Sequence, residues 1–214
     1  MKRIIFDLDG TLLNAHWDDE REFFRNKIGN HEKTEEFIKD VGKVLQKYET
    51  THNFYSIFDL NKFMNEKGYD FTEDLVLGWI KFSKNIVRDD ICEGVIELLD
   101  ICREKDLKMS VATNWFTEAQ AGRLQRAGIL NYFDKVIGGD YFLKPGKVNF
   151  LLAANGTPVE ECYVIGNDYE NDYLGAINAG MKAVYLDENH SIKDIVEGIK
   201  KEEMTKTKKL IKKR

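Results

Sequence analysis

Residues 3–11 read RIIFDLDGT, an apolar run that ends in two aspartates, a glycine and a threonine. The β-branched and aromatic residues predict a strand over residues 3–8. Because side chains alternate along a strand, Asp7 and Asp9 are expected to point the same way where the strand ends. Two converging carboxylates are costly unless a cation or a shared proton compensates them. Gly10 permits a sharp turn and leaves backbone N–H groups free to face an anion, although an ordinary Asp-Gly turn is the alternative.

Four more strands are predicted at residues 108–113, 135–139, 162–166 and 182–186, and helical patterns separate them. The helices are marked by Cys92, Val95, Ile96, Leu99 and Ile101; by Ala119, Leu124 and Ala127 before Gly128; by Leu151 and Leu152; and by Leu174 and Ile177 before Ala179-Gly180. Strands that alternate with helices form βαβ units, so the sequence predicts an α/β fold with a Rossmann-like parallel sheet. In such sheets, ligands bind beyond the carboxyl ends of the strands.

Residues 16–88 lack strand patterns and show helical periodicity, which predicts about four helices inserted after the first strand. The aromatic residues of this insert are interpreted as its interior rather than as a ligand box, because large apolar side chains prefer interiors. We therefore predict a discontinuous core of residues 1–15 and 89–214. The all-helical insert, residues 16–88, is expected to lie where it could cover the crevice of the core.

The composition is that of an ordinary globular chain, with 214 residues, 43% hydrophobic residues and two prolines. A run of about 18 apolar residues, the length a membrane span needs, is missing, and the first residues do not resemble a secretory signal. A cytoplasmic protein without a membrane contact is therefore expected. Three cysteines without C-x-x-C spacing are interpreted as reduced thiols, and the scattered histidines give no support for a histidine metal cluster.

The charge is uneven along the chain. The net charge is −5, but residues 200–214 carry +6, so residues 1–199 carry −11. An acidic body argues against a partner that is a nucleic acid, because phosphate contacts need a basic face. The basic tail is either the solvated end of the last helix or a weak contact site for an anionic surface, and both interpretations stay open. The pattern does not indicate an oligomeric state.

Further polar residues follow the later predicted strands. They are Thr113-Asn114, Lys144-Pro145, and the acids Asp168, Glu170 and Asp172. A hydroxyl and an amide can hydrogen-bond phosphoryl oxygens, although Thr-Asn also caps helices. Pro145 fixes the backbone beside Lys144, whose ammonium could thereby face the crevice.

The order DLDGT, TN, KP and GNDxxxD resembles the haloacid dehalogenase superfamily, whose members are mostly phosphohydrolases. The resemblance covers residues 1–15 and about 89–190, and the insert is similar to the family's mobile cap in location and helicity. In many relatives a second proline and an acid follow the lysine and proline. Here Gly146 and Lys147 stand after Pro145, which puts only the start of the following helix in doubt.

The resemblance implies a mechanism. Asp7 is expected to attack phosphorus and form an aspartyl-phosphate, and Asp9 to protonate the leaving oxygen and later activate water. The cofactor implied is Mg²⁺, held by Asp7, by the carbonyl of Asp9 and by an acid of the fourth motif. The residues expected to bind the phosphoryl oxygens are Gly10, Thr11, Thr113, Asn114 and Lys144.

The fourth motif departs from the family at one position. An acid often follows the glycine directly in relatives, whereas here Asn167 does and the acid is Asp168. Because a carboxylate binds Mg²⁺ more strongly than an amide, Asp168 is the expected metal ligand, with Asn167 as the alternative. If the chain turns helical here, Asp172 lies on the same face and is expected to orient a metal-bound water or to ligate directly.

These features predict a Mg²⁺-dependent phosphatase that hydrolyses a small phosphorylated metabolite. Asp9 argues against dehalogenation, since family members that cleave carbon–halogen bonds lack an acid there. A phosphomutase with the same motifs and a non-catalytic binding protein are the alternatives. The residues expected to reach the leaving group are Asn14, His16, Trp17 and Trp115, each of which could instead be packed or exposed.

Overall fold

A computed structural model of the protein describes residues 1–28 and 32–211, with side chains as far as Lys201. The strands are β1 (Arg3–Phe6), β2 (Leu13–Ala15), β3 (Asp89–Ile91), β4 (Lys108–Ala112), β5 (Lys135–Ile137), β6 (Cys162–Gly166) and β7 (Lys182–Tyr185). Five of them form a parallel sheet in the order β5-β4-β1-β6-β7. Since β1 is central and the strand order reverses beside it, the crevice for a ligand is expected at its carboxyl end.

Ten α-helices occur in the described residues. They are α1 (Trp17–Ile28), α2 (Glu32–Lys39), α3 (Val41–Glu49), α4 (Ile57–Glu66), α5 (Glu73–Asn85), α6 (Val95–Glu104), α7 (Thr117–Arg126), α8 (Lys147–Ala153), α9 (Gly175–Asn178) and α10 (Ile192–Ile211). Short 3₁₀ turns lie at Leu130–Tyr132 and Val159–Glu161, and a π-helical turn at Tyr169–Leu174.

Helices cover both faces of the parallel sheet. Ile4 and Phe6 of β1 pack into one hydrophobic cluster with residues of α6 and α10. Ile5, which points the opposite way, packs into another with Phe150 of α8 and Ala176 of α9. This alternation buries both faces of β1 and explains its continuous apolar sequence. The predicted Rossmann-like α/β core with a helical insert is confirmed.

The insert contains five helices, α1 to α5, within residues 16–28 and 32–88, where about four were predicted. The sequence pattern from Phe37 to Tyr48 indicates one helix, but the structure interrupts it at Asp40. The backbone of Asp40 leaves the helical region, with φ −134° and ψ 32°. Asp is a poor residue for a helix interior because its carboxylate competes for nearby backbone groups.

The chain enters and leaves the insert through two short strands that pair with each other. β2 and β3 are antiparallel, with Asn14 opposite Asp90. This ribbon is not predicted from the sequence, because LNA and DDI are too short and too polar to show a strand pattern. It lies next to the predicted domain boundaries at residues 15/16 and 88/89, which themselves stay a prediction.

The helical insert also packs tightly on the core. Its hydrophobic cluster includes Phe116, Ala119 and Leu143, which belong to core segments. Helix α5 crosses α7 at Gly122, where a Cβ would lie 2.9 Å from the carbonyl oxygen of Lys84. The two helices can approach this closely because Gly122 has no side chain.

Among the described residues, no helix is long and apolar enough to cross a membrane. Helix α10 runs to Ile211, but side chains beyond Lys201 and the last three residues lie outside the described part. Most of the basic tail is therefore not covered, and its possible contact role stays a prediction. His31 also lies outside the described residues.

Two glycine-to-alanine substitutions are expected to have opposite effects. Gly122→Ala places a methyl group against Lys84 and should lower the free energy of unfolding by about 1–3 kcal/mol. Gly42→Ala, in α3, meets no atom within 4 Å and should raise it by up to about 1 kcal/mol through helix propensity. Urea unfolding of both variants measures the difference. Equal effects would contradict the close α5–α7 contact.

Candidate active site

One buried ammonium joins two buried carboxylates at the carboxyl end of β1. The Nζ atom of Lys144 lies 2.6 Å from Asp7 Oδ1 and 2.5 Å from Asp172 Oδ1. Asp7 directly follows β1, Lys144 precedes a cis peptide bond to Pro145, and Asp172 lies in the π-helical turn after β6. All three side chains are buried. The structure thus brings together residues from the first, third and fourth motifs.

The electrostatics of this group leave negative charge in excess. Burial, and then the charge of Asp172, raise the pKa of Asp7 to about 7, although Lys144 lowers it. The two carboxylates in turn raise the pKa of Lys144 above its usual value, against the effect of burial. Lys144 therefore stays charged near neutral pH and compensates only one of the two acids. A second cation beside Asp7 would relieve the remaining charge.

Asp9 faces a different set of partners on helix α7. Arg123 Nη2 lies 2.6 Å from Asp9 Oδ1, which is an ion pair without good hydrogen-bond alignment. Gln120 Nε2 donates to Asp9 Oδ2 at 3.2 Å. The side chain of Asp9 is 35% exposed, whereas that of Arg123 is 3% exposed. Asp9 thus lies at the border between a buried polar group and the crevice.

Thr113 and Asn114 follow β4 and line the same crevice. The side-chain oxygen of Asn114 accepts the backbone N–H of Lys144 at 2.9 Å, so Asn114 holds the lysine loop. The hydroxyl of Thr113 is buried and accepts a hydrogen bond from Gln120 at 3.0 Å. Both predicted residues are therefore at the site.

The turn at Gly10 and Thr11 differs from the expectation. The N–H of Gly10 donates to the carbonyl of Leu13 at 2.8 Å and that of Thr11 to Leu8 at 3.3 Å. These two N–H groups are used within the turn and are not free to face an anion, which favours the alternative of an ordinary Asp-Gly turn at this point. Gly10 has φ 77°, and a Cβ there would collide with the amide of Asn167. Glycine is thus required both by the backbone conformation and by the contact with Asn167.

The fourth motif forms a π-helical turn rather than an α-helical one. The N–H of Tyr173 reaches back to the carbonyl of Asp168 at 3.2 Å. The carboxylate of Asp168 caps this turn and accepts the N–H groups of Glu170 and Asn171 at 3.0 and 2.9 Å. The side chain of Asp172 instead points back and accepts the N–H of Asp168 at 3.0 Å.

Asn167 and Asp168, the two candidate metal ligands, make different contacts. The amide of Asn167 packs against Gly10, and its oxygen lies 3.4 Å from the Thr11 hydroxyl. The carboxylate of Asp168 is occupied by the turn that it caps, and it also accepts the side-chain amide of Asn171 at 2.8 Å. Asn167 is therefore the member of the pair that touches the first motif.

A cavity of about 800 Å³ lies between the core and the helical insert. Its walls include the three tryptophans of the chain, Trp17, Trp79 and Trp115. Two predicted leaving-group residues, Trp17 and Trp115, are thus at the cavity. Trp115 adopts φ 71°, an uncommon conformation for a bulky residue.

The other two residues expected to reach the leaving group do not line this cavity, which favours the alternative that they are packed or exposed. Asn14 lies with Gly10 and Thr11 at a second cavity, on the other side of the first motif. His16 Nε2 is 2.7 Å from Asp90 Oδ2 at the exposed edge of the β2–β3 ribbon. The ribbon, which the sequence does not reveal, turns both residues away.

Glu20 of α1 is a buried acid at the cavity that the sequence does not single out. Its Oε1 accepts the indole N–H of Trp79 at 2.5 Å. Burial raises its pKa to about 7, although the hydrogen bond from Trp79 and the charge of Arg123 lower it. An acid between the apolar positions of a helix normally indicates a solvated face, so the sequence offers only a weak signal for it.

Within the described part of the chain, no three side chains of His, Cys, Asp or Glu lie close enough together to hold a metal ion. A metal at this site would have to combine carboxylates with a backbone carbonyl, an amide or water. Such hard oxygen ligands suit Mg²⁺, which keeps several waters. The excess negative charge around Asp7 fits such a cation.

The fold and this site define a hydrolase with a capped, parallel-sheet core. A family model described as haloacid dehalogenase-like hydrolase matches residues 1–180. The chain therefore belongs to the haloacid dehalogenase-like hydrolases. The predicted enzyme class, a hydrolase of the phosphatase type, is confirmed by this family and by relatives that are themselves phosphatases.

Phosphoglycolate phosphatase of Vibrio parahaemolyticus is 28% identical over 195 residues, which cover 84% of this chain and 81% of that protein. Pyrimidine 5'-nucleotidase YjjG of Escherichia coli is 32% identical over 102 residues, 45% of each chain, so the match spans less than half of that relative. A phosphatase structure of the same superfamily from Thermococcus onnurineus has a TM-score of 0.60 at 23% identity and covers 88% of this chain and 87% of that one. This last likeness concerns the fold.

Substitution of the buried acid Glu20 should change the pH dependence of stability. Because its pKa rises from 4.5 to about 7 in the folded chain, the folded state holds the proton more tightly and loses stability as pH rises from 4.5 to 7. Glu20→Gln keeps an acceptor for Trp79 and removes this loss. We expect similar stabilities at pH 4.5 and a gain of up to roughly 3 kcal/mol for the variant above pH 7. A pH-independent difference in urea unfolding would contradict the assignment.

Proposed function

We propose that the protein is a Mg²⁺-dependent phosphatase that hydrolyses a small phosphate monoester through an aspartyl-phosphate. The observation that carries the proposal is the buried contact of Lys144 with Asp7 and Asp172, with Asp9 two residues after Asp7. A nucleophilic carboxylate, an ammonium that fixes it and a separate acid are the groups that such a reaction needs.

In the first step Asp7 attacks phosphorus. Lys144 holds Oδ1 of Asp7, so Oδ2 is the oxygen that forms the new P–O bond. The bond between phosphorus and the ester oxygen breaks, and its electron pair stays on that oxygen. Asp9, in its protonated form, gives the oxygen a proton, and the alcohol leaves. The products are the alcohol, the aspartyl-phosphate and ionised Asp9.

In the second step water replaces Asp7. Asp9 accepts a proton from the water as its oxygen attacks phosphorus, and the bond between phosphorus and Asp7 Oδ2 breaks with its electron pair returning to the carboxylate. Inorganic phosphate leaves, and both acids regain their starting protonation. Asp9 can serve in both steps because it lies at the rim of the cavity with 35% of its side chain exposed.

The phosphoryl oxygens are proposed to be held by Lys144, Thr113 and Asn114. Lys144 supplies a full positive charge, and the other two supply polar groups at the end of β4. Gly10 and Thr11 contribute through the shape of the turn, since their N–H groups are already bonded within it. The Thr11 hydroxyl faces Asn167, and this contact ties the first motif to the fourth.

Mg²⁺ is proposed to be held by the carboxylate of Asp7, the carbonyl of Asp9, and Asn167 or Asp168, with Asp172 orienting a bound water. The contacts of Asn167 with Gly10 and Thr11 favour Asn167 over the predicted Asp168. When bound, the ion would draw charge from the transferring phosphoryl group. The pKa of Asp7 is raised first by burial and then by the charge of Asp172, and a cation beside the buried carboxylate would relieve both effects.

A small phosphorylated metabolite is the proposed substrate. The cavity of about 800 Å³ is covered by the helical insert and admits a metabolite rather than a macromolecule. The two curated relatives act on phosphoglycolate and on pyrimidine 5'-nucleotides, and leaving groups of both sizes suit a cavity of this volume. A cytoplasmic location agrees with the three free cysteines.

Loss of the nucleophile is the first test. Asp7→Asn should reduce phosphate release from a metabolite panel with Mg²⁺ at least about 10⁴-fold, because an amide cannot form the intermediate. Circular dichroism and thermal unfolding should show an intact fold. Hydrolysis at the wild-type rate by this variant would contradict the assignment of Asp7 as the nucleophile.

The same assay separates the alternatives. A phosphatase releases free phosphate without an activator, whereas a mutase transfers the phosphoryl group to a second hydroxyl and needs a bisphosphate. A wild-type protein without turnover on the whole panel would favour a binding protein.

Two neighbouring substitutions decide the metal ligand. Asn167→Ala should raise the Mg²⁺ concentration for half-maximal activity about 10- to 100-fold, as loss of a ligand or its support does. Asp168→Ala should weaken the π-helical turn and leave this concentration nearly unchanged. The reverse order of effects would assign the ligand to Asp168.

A further inference from the structure

Helix α7 presents two buried polar side chains, Gln120 and Arg123, that take no part in the steps above. They are three residues apart and therefore lie on one face of the helix. We propose that Arg123 and Gln120 are positioning residues that fix the direction of the Asp9 carboxylate for proton transfer. The inference rests on the proposed function, in which Asp9 is the acid.

Arg123 is anchored by a carboxylate other than Asp9. Its Nε lies 3.1 Å from both oxygens of Asp89, and its Nη2 lies 2.6 Å from Asp89 Oδ1. Asp89 is 5% exposed and begins β3, the strand by which the chain returns from the helical insert. The fork-shaped guanidinium is thus held by one acid and turns Nη2 toward a second, Asp9. The guanidinium of Arg123 is therefore shared between Asp89 and Asp9.

Gln120 holds the other oxygen of Asp9. Its Nε2 donates to Asp9 Oδ2 at 3.2 Å and to the Thr113 hydroxyl at 3.0 Å, while its Oε1 accepts from Arg123 Nη1 at 2.9 Å. Each Asp9 oxygen therefore has a different partner, and the two partners are bonded to each other. A carboxylate held at both oxygens cannot rotate freely about its Cβ–Cγ bond.

The helical insert contacts the same group. The ring of Trp17, at the start of α1, lies 5.6 Å from the Arg123 guanidinium. Arg126, one turn further along α7, has its Nη2 3.5 Å from Asp89 Oδ2 and 3.3 Å from the carbonyl of Ser83. Helix α7 therefore holds both the acid and the return strand. The direction of Asp9 is tied to the position of the insert through these contacts.

Positioning of Asp9 should matter most for one step of the reaction, the protonation of the leaving oxygen. A general acid contributes about 10²- to 10⁴-fold, and only when it is within reach and aligned. A poor leaving group needs this proton, whereas a good leaving group departs as an anion. Misdirection of Asp9 should therefore slow poor leaving groups far more than good ones.

The test compares phenyl phosphate with 2,4-dinitrophenyl phosphate, a poor and a good leaving group. The readout is kcat/KM, which covers the steps up to the aspartyl-phosphate and so excludes the later role of Asp9 as a base. Arg123→Met should lower kcat/KM for phenyl phosphate at least about 10-fold more than for the dinitrophenyl ester. Gln120→Leu should show the same selectivity to a smaller extent, and it carries the test if loss of the buried Arg123 prevents folding.

Arg126→Met is the matched control. It removes a guanidinium from the same helix that also contacts the return strand. The contacts of Arg126 with the described residues are to Asp89, Ser83 and Val87, and none of them is to Asp9. We expect a lower melting temperature and no change in leaving-group selectivity. The inference would be overturned if Arg123→Met and Gln120→Leu each lost activity equally on both esters. It would also be overturned if Arg126→Met showed the same leaving-group selectivity. Neither outcome would contradict the proposed function. Absence of turnover of both esters in the wild-type protein would overturn the proposed function and this inference with it.

Discussion

The contact of the Lys144 ammonium with Asp7 and Asp172 is the interaction on which the rest of the site depends. Two buried carboxylates at the end of β1 would repel each other strongly in a low dielectric, and one shared cation makes their placement tolerable. To reach them, the lysine loop is held by Asn114, and the chain after β6 makes a π-helical turn that points Asp172 inward. Segments distant in sequence are thereby fixed around one ammonium. The remaining negative charge creates the place for a divalent cation.

The helical insert is part of the site as well as its cover. It packs onto α7 through α5, and α7 carries Gln120 and Arg123 toward Asp9. One helix thus meets the insert on one side and the acid on the other. A structure arranged in this way can link closure over a substrate to the direction of the proton donor, without a separate coupling element.

The sequence predicts the main sheet well because β1, β4 and β6 are buried on both faces and read as apolar, β-branched runs. The sequence also predicts that Asp7, Lys144 and Asp172 meet at the edge of the sheet formed by the carboxyl ends of the strands, since residues after parallel strands lie there. The β2–β3 ribbon is not predicted because it is short and polar. Its geometry turns Asn14 and His16 away from the cavity. The sequence does not identify Gln120 and Arg123 as site residues, because polar residues on a helix usually indicate a solvated face. Only the packing shows that this face is buried.

The central claim, that Asp7 carries the phosphoryl group, is tested most directly by trapping the intermediate. Wild-type enzyme is mixed with substrate and Mg²⁺, quenched in acid within the first turnover and treated with borohydride, which reduces an acyl phosphate to an alcohol. Peptide mapping by mass spectrometry then locates the reduced side chain. The account predicts reduction at position 7 and at no other acid of the site. Phosphate release without any reduced side chain, or with reduction at Asp9, Asp168 or Asp172, would contradict it.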